Sequence, residues 1–145
     1  MSRVIFTRRQ ALAFAALPFL SGCNRNTKKR IGVVPKGRAH MFWQSVHAGA
    51  NKAARENDVE IEWNGPATET DFNGQLQIVD AMINRRVDAI ALAPIDKVAL
   101  VNVAERATQS NIPVVIFDSP IDTDIFVSQI ATDNYLAGKM AADQM

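Results

Sequence analysis

The sequence predicts an α/β fold: a doubly wound parallel sheet of about five strands with helices on both faces. Three observations carry that expectation. From Arg30 onward the hydrophobic period switches back and forth between short apolar runs and stripes at helical spacing. The runs, such as Ile31-Gly32-Val33-Val34 and residues 87–93, are near-continuous rather than alternating, as in strands covered on both faces. The composition also suits one globular domain, with 145 residues, 48% hydrophobic, a single Cys, and 16 basic against 15 acidic side chains. It excludes a disordered polar chain, a collagen-like repeat and a disulfide-stapled miniprotein, and the net charge of +1 argues against binding nucleic acid by phosphate neutralisation.

The elements follow in order. The run from Ile31 to Val34 ends at Pro35, and Phe42, Val46, Gly49, Ala50, Ala53 and Ala54 then recur at helical spacing, so a strand leads into a helix. Residues 59–63 alternate apolar and acidic side chains until Asn64-Gly65-Pro66 breaks the pattern, and Phe72, Leu76, Val79 and Ile83 form a second stripe. Residues 87–93 read as a buried strand closed by Pro94, with Asp96 placed to cap a helix carrying Val98, Val101, Ala104 and Ala107. Pro113 opens a fourth strand over 114–117. A fifth, over 126–131, leads through Thr132-Asp133-Asn134 into a last helix running to Met145. Short right-handed crossovers make such a sheet parallel.

The amino terminus has the three parts of an export signal. Arg3, Arg8 and Arg9 precede an apolar stretch over 11–20, too short for the roughly 20 residues of a spanning helix, and Leu20-Ser21-Gly22-Cys23 follows. This cut site resembles the lipobox of bacterial lipoproteins, so residues 1–22 are expected to be removed and Cys23 to be lipidated. Thr7-Arg8-Arg9-Gln10-Ala11-Leu12 also resembles a twin-arginine export motif, with Ala11 where a bulky apolar residue is usual. Residues 23–30 form a polar tether with Arg25, Lys28, Lys29 and Arg30, whereas residues 31–145 hold nine bases and 15 acids. A basic run beside a lipid anchor suits an anionic membrane surface, and equally serves as a solvated linker.

In an open parallel sheet, ligands bind outside the carboxyl ends of the strands. The segments 35–43, 93–96, 118–120 and 132–134 converge there and gather Lys36, His40, Phe42, Trp43, Asp96, Asp118, Thr132, Asp133 and Asn134. Aromatic faces beside carboxylates and amides suit a sugar or another polyol, because the rings stack on C–H faces while the polar groups address hydroxyls in fixed directions. Phe42 and Trp43 supply the rings, and Asp118 a carboxylate able to accept two hydroxyl protons. Other readings stay open: Phe42 as the first core residue of its helix, Trp43 as rim packing, Asp118 as a turn cap with Ser119-Pro120, Asp133 as a helix cap with Asn134 beside it, His40 as a solvated loop residue and His47 as a surface residue of the first helix.

From about Arg30 to Met145 the chain resembles the amino-terminal lobe of type I periplasmic sugar-binding proteins, the ribose-binding-protein group. The carriers are Phe42-Trp43-Gln44-Ser45-Val46 leading to Gly49-Ala50, Val87-Asp88-Ala89-Ile90 with Ala93-Pro94, Asn111-Ile112-Pro113-Val114-Val115, Asp118, and Ile130-Ala131-Thr132-Asp133-Asn134 with Gly138-Lys139. The resemblance implies a flavodoxin-like lobe of a periplasmic-binding-protein type I fold, with Phe42 and Trp43 as aromatic clamps. His40 would be a polar ligand contact, Asp118 the hydroxyl-binding carboxylate, and Thr132 the small hydroxyl residue where the chain first crosses towards a second lobe. Ser119 stands where ribose binders have Arg, and Ala93 where they have Asn, which weighs against ribose itself.

The resemblance also implies binding without chemistry. Two lobes close on one ligand and the closed form docks on an ABC-type permease. Residues 31–145 would supply only the amino-terminal lobe, so the second lobe is expected to be missing from this apparently truncated chain, and sugar binding by residues 31–145 alone to be weak or absent. The expected function is that of an exported solute-binding lipoprotein. Its rivals are a ligand sensor feeding a chemoreceptor or histidine kinase, a repressor-type core, whose helix-turn-helix position is occupied by the export signal, and an enzyme. No GxSxG, Walker A, GxGxxG or HExxH pattern occurs and the two His are not spaced as metal ligands, so no catalytic residue, metal or cofactor is expected.

Overall fold

A computed structural model describes residues 28–145; the expected signal peptide, the lipidation residue Cys23 and most of the tether lie outside the described residues. The chain runs β1 (Arg30–Val34), α1 (Met41–Glu56), β2 (Glu60–Trp63), α2 (Phe72–Asn84), β3 (Ala89–Leu92), α3 (Val101–Gln109), β4 (Val114–Phe117), β5 (Ser128–Ile130) and α4 (Asn134–Ala142). The sheet has five strands in the order β2-β1-β3-β4-β5, with every pairing parallel. This is the flavodoxin-like doubly wound order, in which the winding reverses between β1 and β3.

The apolar runs become the three central strands. Val34, Ile90, Leu92, Val114 and Ile116 are buried, with Val79 and Met82 of α2 and Leu100, Val103, Ala104 and Ala107 of the third crossover packed in the same core. Helix α2 comes so close to β1 that a Cβ on Gly32 would lie 2.5 Å from the Met82 sulfur, so the strand needs glycine there for steric rather than conformational reasons. Asp71 caps α2 by accepting from the Gly74 amide at 2.8 Å.

One buried polar side chain joins the loops at the reversal point. Gln75 of α2 is fully buried; its Nε2 donates to the carbonyls of Pro35 (3.1 Å) and Ala93 (2.8 Å), and its Oε1 accepts from the Ile95 amide (2.9 Å). The carboxamide thus uses both donors and one acceptor on backbone groups that the ends of β1 and β3 leave unpaired.

The structure departs from the sequence-based expectations at four places. Helix α1 turns Trp43 and Ala54 to the sheet, with Val46, His47 and Ala50 half-buried, while Phe42, Gly49 and Ala53 are exposed. The inward stripe is therefore rotated by one residue, about 100° around the helix. Within it, His47 stacks on Trp63 with ring centroids 4.5 Å apart, so it is not a plain surface residue. Asp96 does not cap α3: its Oδ1 accepts from the amides of Val98 (2.8 Å) and Ala99 (2.7 Å), closing a separate turn, and the α-helical ladder starts only after Leu100. At the far edge, β5 is shorter than 126–131 and exposed, and α4 stops at Ala142, after which Gln144 and Met145 make tighter i→i+3 bonds. Val127, Ile130, Tyr135, Leu136 and Met140 along this edge are exposed, and no residue of α4 is buried.

Two outcomes follow for stability. Gln75→Ala should lower the unfolding free energy of the full chain by roughly 2 to 4 kcal/mol in urea titrations, because two buried carbonyls and the half-buried Ile95 amide lose their partner; a loss below about 0.5 kcal/mol would show that the strands alone hold these loops. The bonds from the Ala99 and Val98 amides hold the Asp96 carboxyl below its usual 3.8. Their contribution is present above that value and lost as pH falls through the lowered one. Asp96→Ala should therefore flatten the acid limb of the stability–pH curve, and an unchanged limb would remove Asp96 from the account.

Candidate binding cleft

The carboxyl ends of the strands carry two adjoining open clefts. One, of about 340 Å³, is lined by Lys36, His40, Phe42, Trp43, Glu69 and Asp118. The other, of about 310 Å³, is lined by Phe42, Phe117, Asp118, Ile130, Ala131 and Thr132. Phe42 and Asp118 belong to both and form the divide. All five of the residues expected to bind ligand, His40, Phe42, Trp43, Asp118 and Thr132, are thus brought to this edge. Asp96 is in neither cleft, and Asp133 caps α4 by accepting from the Leu136 amide at 2.9 Å.

Local geometry gives each side chain its task. His40 is the N-cap of α1, its Nδ1 accepting from the Phe42 amide at 3.1 Å. In the neutral ring this places the proton on Nε2, which remains as a donor. The two rings that follow are not equivalent. Trp43 is 2% exposed, whereas Phe42 is 49% exposed. Trp43 meets Phe42 edge-on, with centroids 4.8 Å apart and planes at 75°, and meets Phe117 likewise at 6.3 Å and 76°. Its indole Nε1 donates to Glu69 Oε1 at 2.8 Å. Trp43 is a buried prop whose polar handle is satisfied, and Phe42 is the ring with a free face.

Asp118 has φ +66°, a left-handed conformation. The Ser119 amide donates back to the Phe117 carbonyl at 2.8 Å, so the chain makes a tight three-residue turn centred on Asp118, while the Asp118 amide donates to the Ile130 carbonyl at 2.9 Å. Asp tolerates this backbone better than most residues, and the turn projects the carboxylate over the strand ends. There Asp118 Oδ2 accepts from Lys36 Nζ at 2.8 Å and from Ser119 Oγ at 3.1 Å, and Lys36 also donates to Ser119 Oγ. Oδ2 is therefore committed to the protein, and among the described residues Oδ1, with its two lone pairs, is the oxygen left to accept hydroxyl protons.

Glu69 is the residue that sequence reasoning missed. It comes from the loop after β2, at the same end of the sheet as the four loops considered, so the carboxyl-end rule would have found it had it been applied to every strand. Lys36 was gathered at this edge by the sequence but not singled out, because its pairing with Asp118 joins positions 82 residues apart. Among the described residues no cluster of His, Cys, Asp and Glu could hold a metal ion, and no helix is long and apolar enough to cross a membrane.

A family profile described as periplasmic binding protein domain matches residues 31–145. Over 100 residues the chain is 37% identical to a D-ribose/D-allose-binding protein of Pseudomonas aeruginosa, a match covering 68% of this chain and 31% of that one. It superposes on a carbohydrate transporter solute-binding protein from Agrobacterium radiobacter in complex with D-arabinose with a TM-score of 0.75 and 34% identity, over 80% of this chain and 39% of the other. A solute-binding protein of an ABC transporter from Agrobacterium vitis with bound D-fucose gives a TM-score of 0.74 and 40% identity, over 80% and 41%. The chain spans well under half the length of these relatives.

The inequality of the two rings is measurable. Trp43→Ala should lower stability by about 3 to 5 kcal/mol, as expected for a buried aromatic, while Phe42→Ala should change it by less than about 1 kcal/mol. Urea unfolding of both variants checks this, and equal losses would mean that Phe42 is part of the core.

Proposed function

The chain belongs to the periplasmic binding protein family, and from that premise we propose that it captures a sugar or related polyol outside the cytoplasm for an ABC-type importer. The observation that carries this reading is the meeting, in one cleft, of the exposed Phe42 face with the charged pair Lys36–Asp118. A sugar ring needs both surfaces: C–H groups against the aromatic face and hydroxyls against fixed donors and acceptors. On this reading Phe42 is the stacking face and Trp43 its support. Asp118 accepts a hydroxyl proton, His40 donates from Nε2, and Thr132 serves the neighbouring cleft.

The mechanism is capture by closure. A second lobe swings over the strand ends about a hinge, ligand contacts from both sides hold the closed form, and that form is what a permease recognises. The apolar residues exposed along β5 and α4 support this reading, since Ile130, Leu136 and Met140 offer surface for further chain to cover. Lipid attachment at Cys23, with the basic residues 25–30 against anionic headgroups, would hold the protein at the membrane surface. No chemical step is proposed.

Two-dimensional NMR of the isotope-labelled full chain, titrated with D-ribose, D-allose, D-arabinose and D-fucose, tests the sugar reading. Weak, saturable shifts confined to the loops 35–43, 68–70, 117–119 and 130–132 are expected for at least one sugar, because one lobe supplies only part of the contacts. Saturable shifts that move only the opposite end of the sheet would overturn it.

A further inference from the structure

We infer that the sugar captured here carries a neutral, apolar substituent, as in an alkyl or aryl glycoside, and that a hollow beside the cleft receives it. The inference rests on the sugar-capture reading and names the second part of the ligand. The hollow, of about 370 Å³, is lined by Gly37, Ala39, His40, Ala67, Thr68 and Glu69. It lies between the loop after β1 and the loop after β2. His40 and Glu69 also line the cleft that holds Lys36 and Asp118, so the two spaces adjoin. Each alone reaches the lower end, roughly 300 Å³, of the range over which small-molecule pockets occur, so a ring seated in one leaves the other to a second group.

The two linings differ in chemistry. The cleft presents the Lys36 ammonium and the Asp118 carboxylate. The hollow presents mostly carbon, from a glycine, two alanines and Thr68, whose hydroxyl is engaged with that of Thr70 at 3.3 Å. Its two remaining polar side chains are the ones shared with the cleft, and each already bonds within the protein: His40 Nδ1 accepts from the Phe42 amide and Glu69 Oε1 from the Trp43 indole. A second sugar unit would turn hydroxyls onto this carbon and lose their water without replacement. An alkyl or phenyl group gives up no hydrogen bond there and removes apolar surface from water. The Glu69 carboxylate at the border repels an anionic substituent, so the group is neutral.

The hollow is built into the fold. Pro35, Gly65 and Pro66, at the bases of its two loops, are buried. Gly37 is buried as well, and a Cβ there would lie 3.0 Å from Glu69 Cγ, so a side chain at this position would crowd the Glu69 stem. The sheet order puts β2 at the edge opposite β5. A substituent therefore leaves the cleft on the side away from Ile130, Ala131 and Thr132, and does not compete for the second cleft.

The test is an NMR titration of the isotope-labelled full chain, unaltered and as Ala67→Trp, with well-dispersed spectra as the check on folding. The ligands are the four sugars named above, their methyl and phenyl glycosides in both anomers, and phenol alone. At least one phenyl glycoside should bind about tenfold more tightly than its parent sugar, with the methyl glycoside between them. The Ala67 amide, outside the loops expected to respond to free sugar, should move with that phenyl glycoside and stay in place with the parent. Ala67→Trp puts an indole into the hollow and should abolish the gain. Phenyl glycosides no tighter than their parents, or a gain that survives Ala67→Trp, would overturn the inference while leaving sugar capture standing. Phenol that moves Ala67 as strongly as the glycoside would also overturn it, because the sugar then adds nothing. Saturable shifts from sugars and glycosides alike at only the opposite end of the sheet would defeat both readings.

Discussion

The geometry of the binding edge depends on the carboxamide of Gln75. A doubly wound sheet necessarily leaves a gap where the winding reverses, because the segments after β1 and β3 turn away to opposite faces and their backbone groups lose the pairing the strands gave them. Gln75 rises from α2 into that gap and bonds the carbonyls of Pro35 and Ala93 and the amide of Ile95. It is the only fully buried polar side chain among the described residues, and the described residues contain no buried side-chain polar atom without a partner. Removing it would leave three orphaned groups at the point from which Lys36 and the loop to His40 set out.

What is built on that point divides into an apolar and a polar half. The apolar half is a chain of edge-to-face rings, Phe42 on Trp43 on Phe117, with the indole nitrogen tied to Glu69. The ring series crosses from the end of β4 to the start of α1 and ends in Phe42, the ring with an open face. The polar half is the Lys36–Asp118–Ser119 cluster, held by the left-handed turn at Asp118, whose amide also joins the ends of β4 and β5. Both halves are anchored in the backbone of buried strands. The cleft is therefore pre-formed on its floor, which lowers the ordering cost of binding.

The stability of the lobe is uneven. The core lies between α2, α3 and the central strands, while β5 and α4 contribute three exposed strand residues and a helix with no buried side chain. Segments with so little buried apolar surface open most readily, so the second cleft, which borrows Ile130, Ala131 and Thr132 from this edge, is the softer of the two.

The sequence by itself determined the architecture. Continuous apolar runs such as 87–93 can only be buried parallel strands when helical stripes separate them, and that alternation placed all five strands, the edge at which ligands bind and the loops of four strands, including Lys36, Phe42, Asp118 and Thr132. What tertiary structure alone decided is which of two adjacent residues faces inward, and which distant side chains meet. Residues 42 and 43 are both aromatic and differ by 100° around α1, so composition could not rank them; packing against Phe117 and the bond to Glu69 buried Trp43 and left Phe42 open. The Lys36–Asp118 pair and the three bonds of Gln75 likewise join segments brought together only when β3 is laid between β1 and β4. Periodicity is a local property of the chain, whereas partner choice depends on strand order, and the order is fixed only when the sheet forms.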